Sequence, residues 1–285
     1  MELVREEELD NSIQIVYLPH YPVLRESSST SKLRVVFNAS SLTSNNIFLN
    51  SHFHIGPKIL NDLVCIILNW RLPRFVYMPD IEKIIRNFFV DARDCTSQRI
   101  LWGSSDNNVV AYLLLTLTYG TACASYLANK IIKQLTHDEG NKFTLNKSIL
   151  ERNIYVDDIM FGADTKVQAK QKRQKVSQLM EAGGFHLRKW AFDDFELLED
   201  CPSGKYERTI EFLLSEDAKF KVLSLFWDPE SHSFHIKVTP PSVETPTKRI
   251  VLSLIAELFD PMGWLTPVIQ VDKLLMEEVW IRKLD

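Results

Sequence analysis

Residues 153–164 read NIYVDDIMFGAD, and two adjacent carboxylates, Asp157 and Asp158, interrupt what is otherwise an apolar strand. Tyr155 and Val156 precede them, and Ile159, Met160 and Phe161 follow. The pattern predicts two short buried strands with the acids at the tip of the turn between them. Aspartate is a turn former, so a turn by itself accounts for the pair. A third carboxylate changes the balance. Residues 74–90, RFVYMPDIEKIIRNFFV, open as a strand over 75–77 with Asp80 just after it, and the element order puts Asp80 and Asp157 on neighbouring strands of one sheet. Three converging carboxylates repel one another unless cations neutralise them. Their hard oxygens suit magnesium, which takes substrate phosphates as remaining ligands, so this sheet edge is a candidate two-metal site.

The composition fits a folded domain. With 285 residues, 45% of them apolar and 25% charged, the chain can bury the core of one or two ordinary domains, and neither disorder nor a membrane class is favoured. No apolar run nears the roughly 18 residues that a spanning helix needs. The acidic start MELVREEELDNS has no signal core, which predicts an intracellular, cytoplasmic chain with no membrane partner. Cys65, Cys95, Cys123 and Cys201 are too far apart for a zinc or redox motif and read as free thiols. A net charge of -4 excludes a surface coated with positive charge, so phosphate binding falls to local patches.

Toward the amino terminus, residues 14–24 and 32–37 are β-rich, and the polar RESSSTS between them makes a long hairpin. Ile59, Leu60, Leu63, Ile66, Ile67 and Trp70 recur at helical spacing. DIEKIIRNF reads as a helix, VVAYLLLTLTYG as a strand, and ASYLANKIIKQL as a helix followed by a polar loop. After the opening stretch a basic helix starts at Asp164 or Thr165 and stops at Gly183 and Gly184, and FHLRKWAF resumes as a strand. Residues 75–192 thus contain the elements of a split βαβ unit with one added helix. An acidic linker, DDFELLEDCPSG, leads to a hairpin turning at DPES and to helices in TKRIVLSLIAELF and VDKLLMEEVWIRKLD. Lys166, Lys170, Lys172, Arg173 and Lys175 of the basic helix could track phosphates. A charge-rich helix is more often a solvated face, and that reading is preferred.

The stretches LPHYPVL, SKLRVVFNASS, DIEKI, QRILW, TYGTA, YVDDIMFGAD, GGFHLRKWA and TKRIVLSLIAELFDPMGWLTPV run in order from about Tyr17 to the end of the chain. As an ordered set they resemble the reverse transcriptase of Bel/Pao-class long-terminal-repeat retrotransposon polyproteins; a lone YxDD carries far less weight. The resemblance implies an α+β right-hand polymerase. Its parts would be fingers over 1–74, a ferredoxin-like palm with inserted fingers strands over 75–200, and a partial thumb or connection over 201–285.

The resemblance also implies RNA-directed DNA synthesis on an RNA or DNA template with a primer, from deoxynucleoside triphosphates and with two Mg2+ or Mn2+ ions. Asp80 and Asp157 would be the indispensable metal ligands and Asp158 a secondary one, with the main-chain carbonyl of Ile81 completing the second ion's shell. Lys32 and Arg34 match fingers residues that close on the incoming phosphates, Lys as a point charge and Arg as a fork. Tyr119 and Gly120 match the loop beside the nucleotide, and Lys189 matches a lysine that protonates pyrophosphate. The bland alternatives are exposed hairpin cations, an ordinary turn and a strand-end surface charge.

Three positions depart from the family pattern. Ile85 stands where an aromatic ring blocks a 2'-hydroxyl, which implies weak discrimination against ribonucleotides. Pro79 removes a ladder donor directly before Asp80, which implies altered strand geometry there. Ser125 replaces a proline after TYGTA, which implies a looser loop. No DTG or DSG occurs, and ADTK lacks the glycine of an aspartic peptidase loop, so neither a peptidase nor a ribonuclease H is expected. The rival to an active polymerase is a degenerate or host-retained fragment that keeps the fold and binds nucleic acid or a protein partner. A metal-dependent phosphohydrolase is less favoured, because it explains none of the fingers motifs.

Overall fold

The computed structural model describes residues 2–3, 16–24, 33–103, 108–197, 220–222, 225–228, 231–236, 247–258 and 260–283. Lys32, the loop 25–31 and most of the acidic linker lie outside the described residues. The chain groups into two compact units. The first comprises Met1–Leu60, Ile81–Asp158 and Lys175–Leu187, and the second Asn61–Asp80, Ile159–Gln174 and Arg188–Asp285.

In the first unit, β2 (His20–Leu24) and β3 (Leu33–Phe37) form the expected hairpin, antiparallel from His20↔Phe37 to Leu24↔Leu33. A separate sheet takes β1 (Glu2–Leu3), β6 (Val109–Leu113) and β5 (Arg99–Gly103) in the order β1-β6-β5. Leu18, Ala39, Leu49 and Ile100 are buried together, with Phe37, Tyr112 and Leu114 packed against them. The strand expected in VVAYLLLTLTYG therefore exists, but it pairs with β5 and β1 and stays out of the sheet that carries Asp80. After α2 (Ala92–Cys95), helix α3 (Ala124–Glu139) matches its periodicity, and the expected polar loop after it is instead a short 3-10 turn and α4 (Thr144–Arg152). Ser125 sits in the first turn of α3, where its carbonyl accepts from Asn129 Nδ2 at 2.8 Å.

The helix expected in DIEKIIRNF does not form. Ile81 stays in strand, the Glu82 N–H donates to the His186 carbonyl at 2.9 Å, and Lys83 adopts a left-handed φ of 49°, which leaves only a 3-10 turn over Ile84–Asn87. Main-chain bonds to distant residues outcompete the local periodicity that suggested a helix.

In the second unit, α1 (Leu63–Arg71) begins where the Asp62 side chain accepts from the Cys65 N–H at 3.2 Å, which is why Ile59 and Leu60 fall before it. Its Ile66, Ile67 and Trp70 are buried at helical spacing, and Trp70 Nε1 donates to the Tyr77 carbonyl at 3.1 Å. Strand β4 (Phe75–Ile81) is apolar and buried over most of its length, as a central strand must be. It pairs antiparallel with β9 (Phe161–Ala163) from Phe75↔Ala163 to Tyr77↔Phe161. Gly162 permits this approach, since a Cβ there would stand 2.4 Å from the Phe75 carbonyl oxygen and 2.9 Å from Pro73 Cβ. Tyr77, Phe161 and Trp190 close the core with ring centroids 5.5 to 6.3 Å apart.

With β7 (Ile154–Tyr155), β8 (Asp158–Ile159) and β10 (Leu187–Phe192), the strand order is β10-β4-β8-β7, β9 also pairing with β4. Helix α5 (Lys166–Ala182) starts after Thr165, whose hydroxyl accepts from the Gln168 N–H at 3.3 Å, and ends at Gly183 and Gly184 as expected. Strands β11 (Phe220–Val222), β12 (Leu225–Asp228) and β13 (Ser233–His235) form an antiparallel meander. Trp227 of β12 meets Trp70 edge-on at 4.8 Å. The chain closes with α6 (Lys248–Glu257), capped by Thr247, and α7 (Thr266–Ile281). Between them Asp260 accepts from the Trp264 and Leu265 N–H groups at 2.9 and 2.6 Å. Among the described residues no helix is long and apolar enough to cross a membrane.

Candidate active site

The carboxylate pair sits on a two-residue turn. Ile154 and Tyr155 end β7, Val156 and Asp157 make the turn, and Asp158 opens β8. Val156 has φ +57°, a left-handed conformation that a β-branched residue rarely adopts and that costs about 1–3 kcal/mol. A single main-chain bond braces it: the Ile81 N–H donates to the Asp157 carbonyl at 2.7 Å. Asp157 and Asp158 are both half-buried.

Asp80 lies inside β4, which runs on through Pro79 to Ile81, rather than just after a shorter strand. Continuing the register from Tyr77↔Phe161 puts Pro79 opposite Ile159 of β8, on the same side as the bond from the Ile81 N–H to the Asp157 carbonyl, so the donor that proline removes faces a neighbouring strand.

Lys189 Nζ lies 3.4 Å from Asp80 Oδ2, with side chains 36% and 26% exposed. Lys189 reaches this position from a left-handed φ of +50° within β10, a local departure from strand geometry that re-aims its side chain. A half-exposed pair at this distance contributes on the order of 1 kcal/mol or less.

In the first unit, Arg34 and Tyr119 come together, with Arg34 Cζ 5.6 Å from the ring centroid. Gly120 has φ +89°, and a Cβ there would stand 2.4 Å from the Phe37 carbonyl oxygen, so the TYGTA loop requires glycine at this point. Ile85 is half-buried on the 3-10 turn after β4.

Two residues at this loop escaped the sequence reading. Asn50 Nδ2 donates to the Gly120 carbonyl at 3.0 Å and to Ser40 Oγ at 2.9 Å, while its Oδ1 accepts from the Ala122 N–H at 2.7 Å. Arg86 Cζ stands 5.5 Å from the Tyr119 ring centroid. Neither carries a local signal, since Asn50 acts across 70 residues and Arg86 looks like one more cation of an amphipathic turn.

The basic helix is not a free phosphate track. Lys166 pairs with Asp194 at 2.9 Å and Glu196 at 2.6 Å, Lys172 Nζ donates to the Gly162 carbonyl at 2.7 Å, and Arg173 is buried. The contacts of Lys166 and Lys172 hold the first turns of the helix to residues of the second unit, while Lys175 is exposed, as the preferred solvated face expects. Nearby, burial holds the Asp193 carboxyl above the usual carboxylate range, against the opposing pull of the Val76 N–H that it accepts at 3.0 Å.

The three aspartates and the Ile81 carbonyl are hard oxygen donors, which fits magnesium or manganese in kind. Among the described residues, however, no three His, Cys, Asp or Glu side chains are gathered closely enough to hold a metal ion.

Residues 247–285 match the family model described as Pao retrotransposon-like RNaseH-like domain. The stretch TKRIVLSLIAELFDPMGWLTPV lies within that match, while the RNaseH-like description departs from the expectation that no ribonuclease H is present. No curated protein matches the chain. Among solved structures, a foamy viral protease-reverse transcriptase in complex with an RNA/DNA hybrid is similar at TM-score 0.59 and 13% identity, over 92% of this chain and 30% of that one. The native prototype foamy virus protease-reverse transcriptase is similar at TM-score 0.43 and 16% identity, over 60% of this chain and 20% of that one. The chain thus spans less than a third of these proteins' length. Its mixed α and β fold resembles that of the foamy viral protease-reverse transcriptase.

Proposed function

We propose that the chain is the reverse-transcriptase segment of a Bel/Pao-like retroelement and adds deoxynucleotides to a primer on an RNA or DNA template. Fingers over 1–74, a palm over 75–200 and a thumb or connection over 201–285 are part of this reading. The observation that carries it is the 2.7 Å bond from the Ile81 N–H to the Asp157 carbonyl, which ties the residue following Asp80 to the YVDD turn. The foamy viral enzyme of similar fold is bound to an RNA/DNA hybrid, and such a duplex is the proposed ligand.

Asp80, Asp157 and Asp158 would hold two magnesium or manganese ions, which when bound lower the pKa of the primer 3'-hydroxyl and offset charge on the leaving pyrophosphate. Arg34, with Lys32, binds the triphosphate oxygens. Tyr119 and Gly120 shape the floor beside the nucleotide, and Ile85 faces its sugar. Lys189 delivers a proton to the departing pyrophosphate and, before that, balances Asp80 at 3.4 Å.

The test is primer extension on an RNA template with manganese, comparing wild type with Asp157→Asn. The reading expects a loss of about 100-fold or more in the variant with an unchanged melting curve. Equal extension by both proteins would overturn it. The rival reading is a non-catalytic fragment that keeps the fold and binds nucleic acid or a protein. That reading wins if wild type binds an RNA/DNA hybrid and extends no primer.

A further inference from the structure

We propose that Arg86 is a second phosphate-binding guanidinium, gathered with Arg34 at the ring of Tyr119, and that this clamp takes the triphosphate of the incoming nucleotide. Arg34 Cζ lies 5.6 Å from the Tyr119 centroid and Arg86 Cζ 5.5 Å. Arg34 comes from β3, Arg86 from the 3-10 turn over Ile84–Asn87, and Tyr119 from the TYGTA loop, so three separate segments of one unit converge. Both arginines are exposed and Tyr119 is half-buried. Among the described residues neither guanidinium has a carboxylate within ion-pair distance.

Attraction of a guanidinium to an exposed ring face is weak, so an anion makes the stronger partner for both cations. Each guanidinium presents a planar fork matched to phosphate oxygens. One phosphate satisfies one fork, whereas a polyphosphate reaches both.

The surroundings suit the remainder of a nucleotide. Arg86 and Tyr119 line a cavity of about 290 Å³ whose walls include His20, Phe37 and Trp102. The His20 and Trp102 rings stack at 5.7 Å and 7°, which offers flat apolar faces next to the cations. The 3-10 turn matters to the arrangement. A regular helix through 80–88, as the sequence suggests, would aim residue 86 differently, and the left-handed Lys83 prevents it.

The identity of the ligand as a nucleotide rests on the polymerase reading, whereas capture of a polyphosphate by the two arginines does not. Isothermal titration calorimetry of the full chain with inorganic tripolyphosphate, without divalent cations, tests the clamp apart from the aspartates. Arg34→Gln and Arg86→Gln should each weaken binding about tenfold or more, and Arg86→Lys, which keeps the charge and loses the fork, should fall between. Arg93→Gln, a change at an exposed arginine paired with Asp91, should leave binding within twofold of wild type. Wild-type affinity in Arg86→Gln, or equal losses in Arg86→Gln and Arg93→Gln, overturns the proposal. If the wild type extends no primer but its tripolyphosphate binding still depends on Arg86, the polymerase reading fails and the clamp stands. If primers are extended and Arg86→Gln leaves the KM for deoxynucleotides unchanged, the clamp falls and the polymerase reading stands.

Discussion

Lys189 Nζ stands 3.4 Å from Asp80 Oδ2, and the lysine reaches it from a left-handed backbone position in β10. An ammonium here repels any cation that Asp80 would bind, yet on the proposed polymerase reading it also supplies a proton donor to the leaving pyrophosphate. The two effects predict opposite responses to Lys189→Met. Manganese binding, followed by electron paramagnetic resonance, should tighten about threefold to fivefold, as expected for loss of one nearby like charge. Primer extension should slow by about tenfold or more. Slower extension with weaker metal binding would mean that Lys189 organises Asp80 and does not act as an acid.

Ile85 is half-buried, and on the proposed polymerase reading it takes the position where a ring would exclude a 2'-hydroxyl. The wild type should incorporate ribonucleotides readily, and Ile85→Phe should raise selectivity for deoxynucleotides by about tenfold, the scale of a shape difference in an apolar pocket. Competition between the two nucleotide types in single-nucleotide extension reads this out. Strict selectivity in the wild type would sink it.

Asn50 joins Ser40 to both sides of Gly120 through three hydrogen bonds. Asn50→Ala should lower stability by about 1–3 kcal/mol in urea unfolding, since the Ala122 N–H and the Gly120 carbonyl lose a partner. Gly120→Ala should cost at least as much, because the φ of +89° and the 2.4 Å approach of the Phe37 carbonyl both oppose a Cβ. A Gly120→Ala protein as stable as wild type would show that the loop adopts another conformation.

The buried Asp193 gives a pH dependence with a definite sign. Its folded-state pKa is raised, so the folded protein holds this proton more tightly than the unfolded chain does. Stability therefore falls as pH rises from the ordinary carboxylate pKa through the raised value. Asp193→Asn keeps an acceptor for the Val76 N–H and removes the charge, so it should flatten this fall above the ordinary carboxylate pKa. An unchanged pH profile of the melting temperature would count against burial as the cause.

Local chemistry made several parts of the chain readable in advance. The β2–β3 hairpin, the YVDD turn between apolar arms, and α5 between Thr165 and Gly183 each follow from patterns that span a few residues. The segment 80–88 did not read correctly, because its apolar spacing suits a helix while the Glu82 N–H is taken by His186, about a hundred residues away. The residues that hold the TYGTA loop, Asn50 and Arg86, were invisible for the same reason, as their partners are distant in the chain.

Val156 carries one more implication. A valine held at φ +57° is preloaded, and the Ile81 N–H acts as the latch that keeps the load in place. The place of Asp157 in the turn is thus tied to the main chain of β4 at Ile81, and breaking that bond would let the strained turn relax toward a right-handed form.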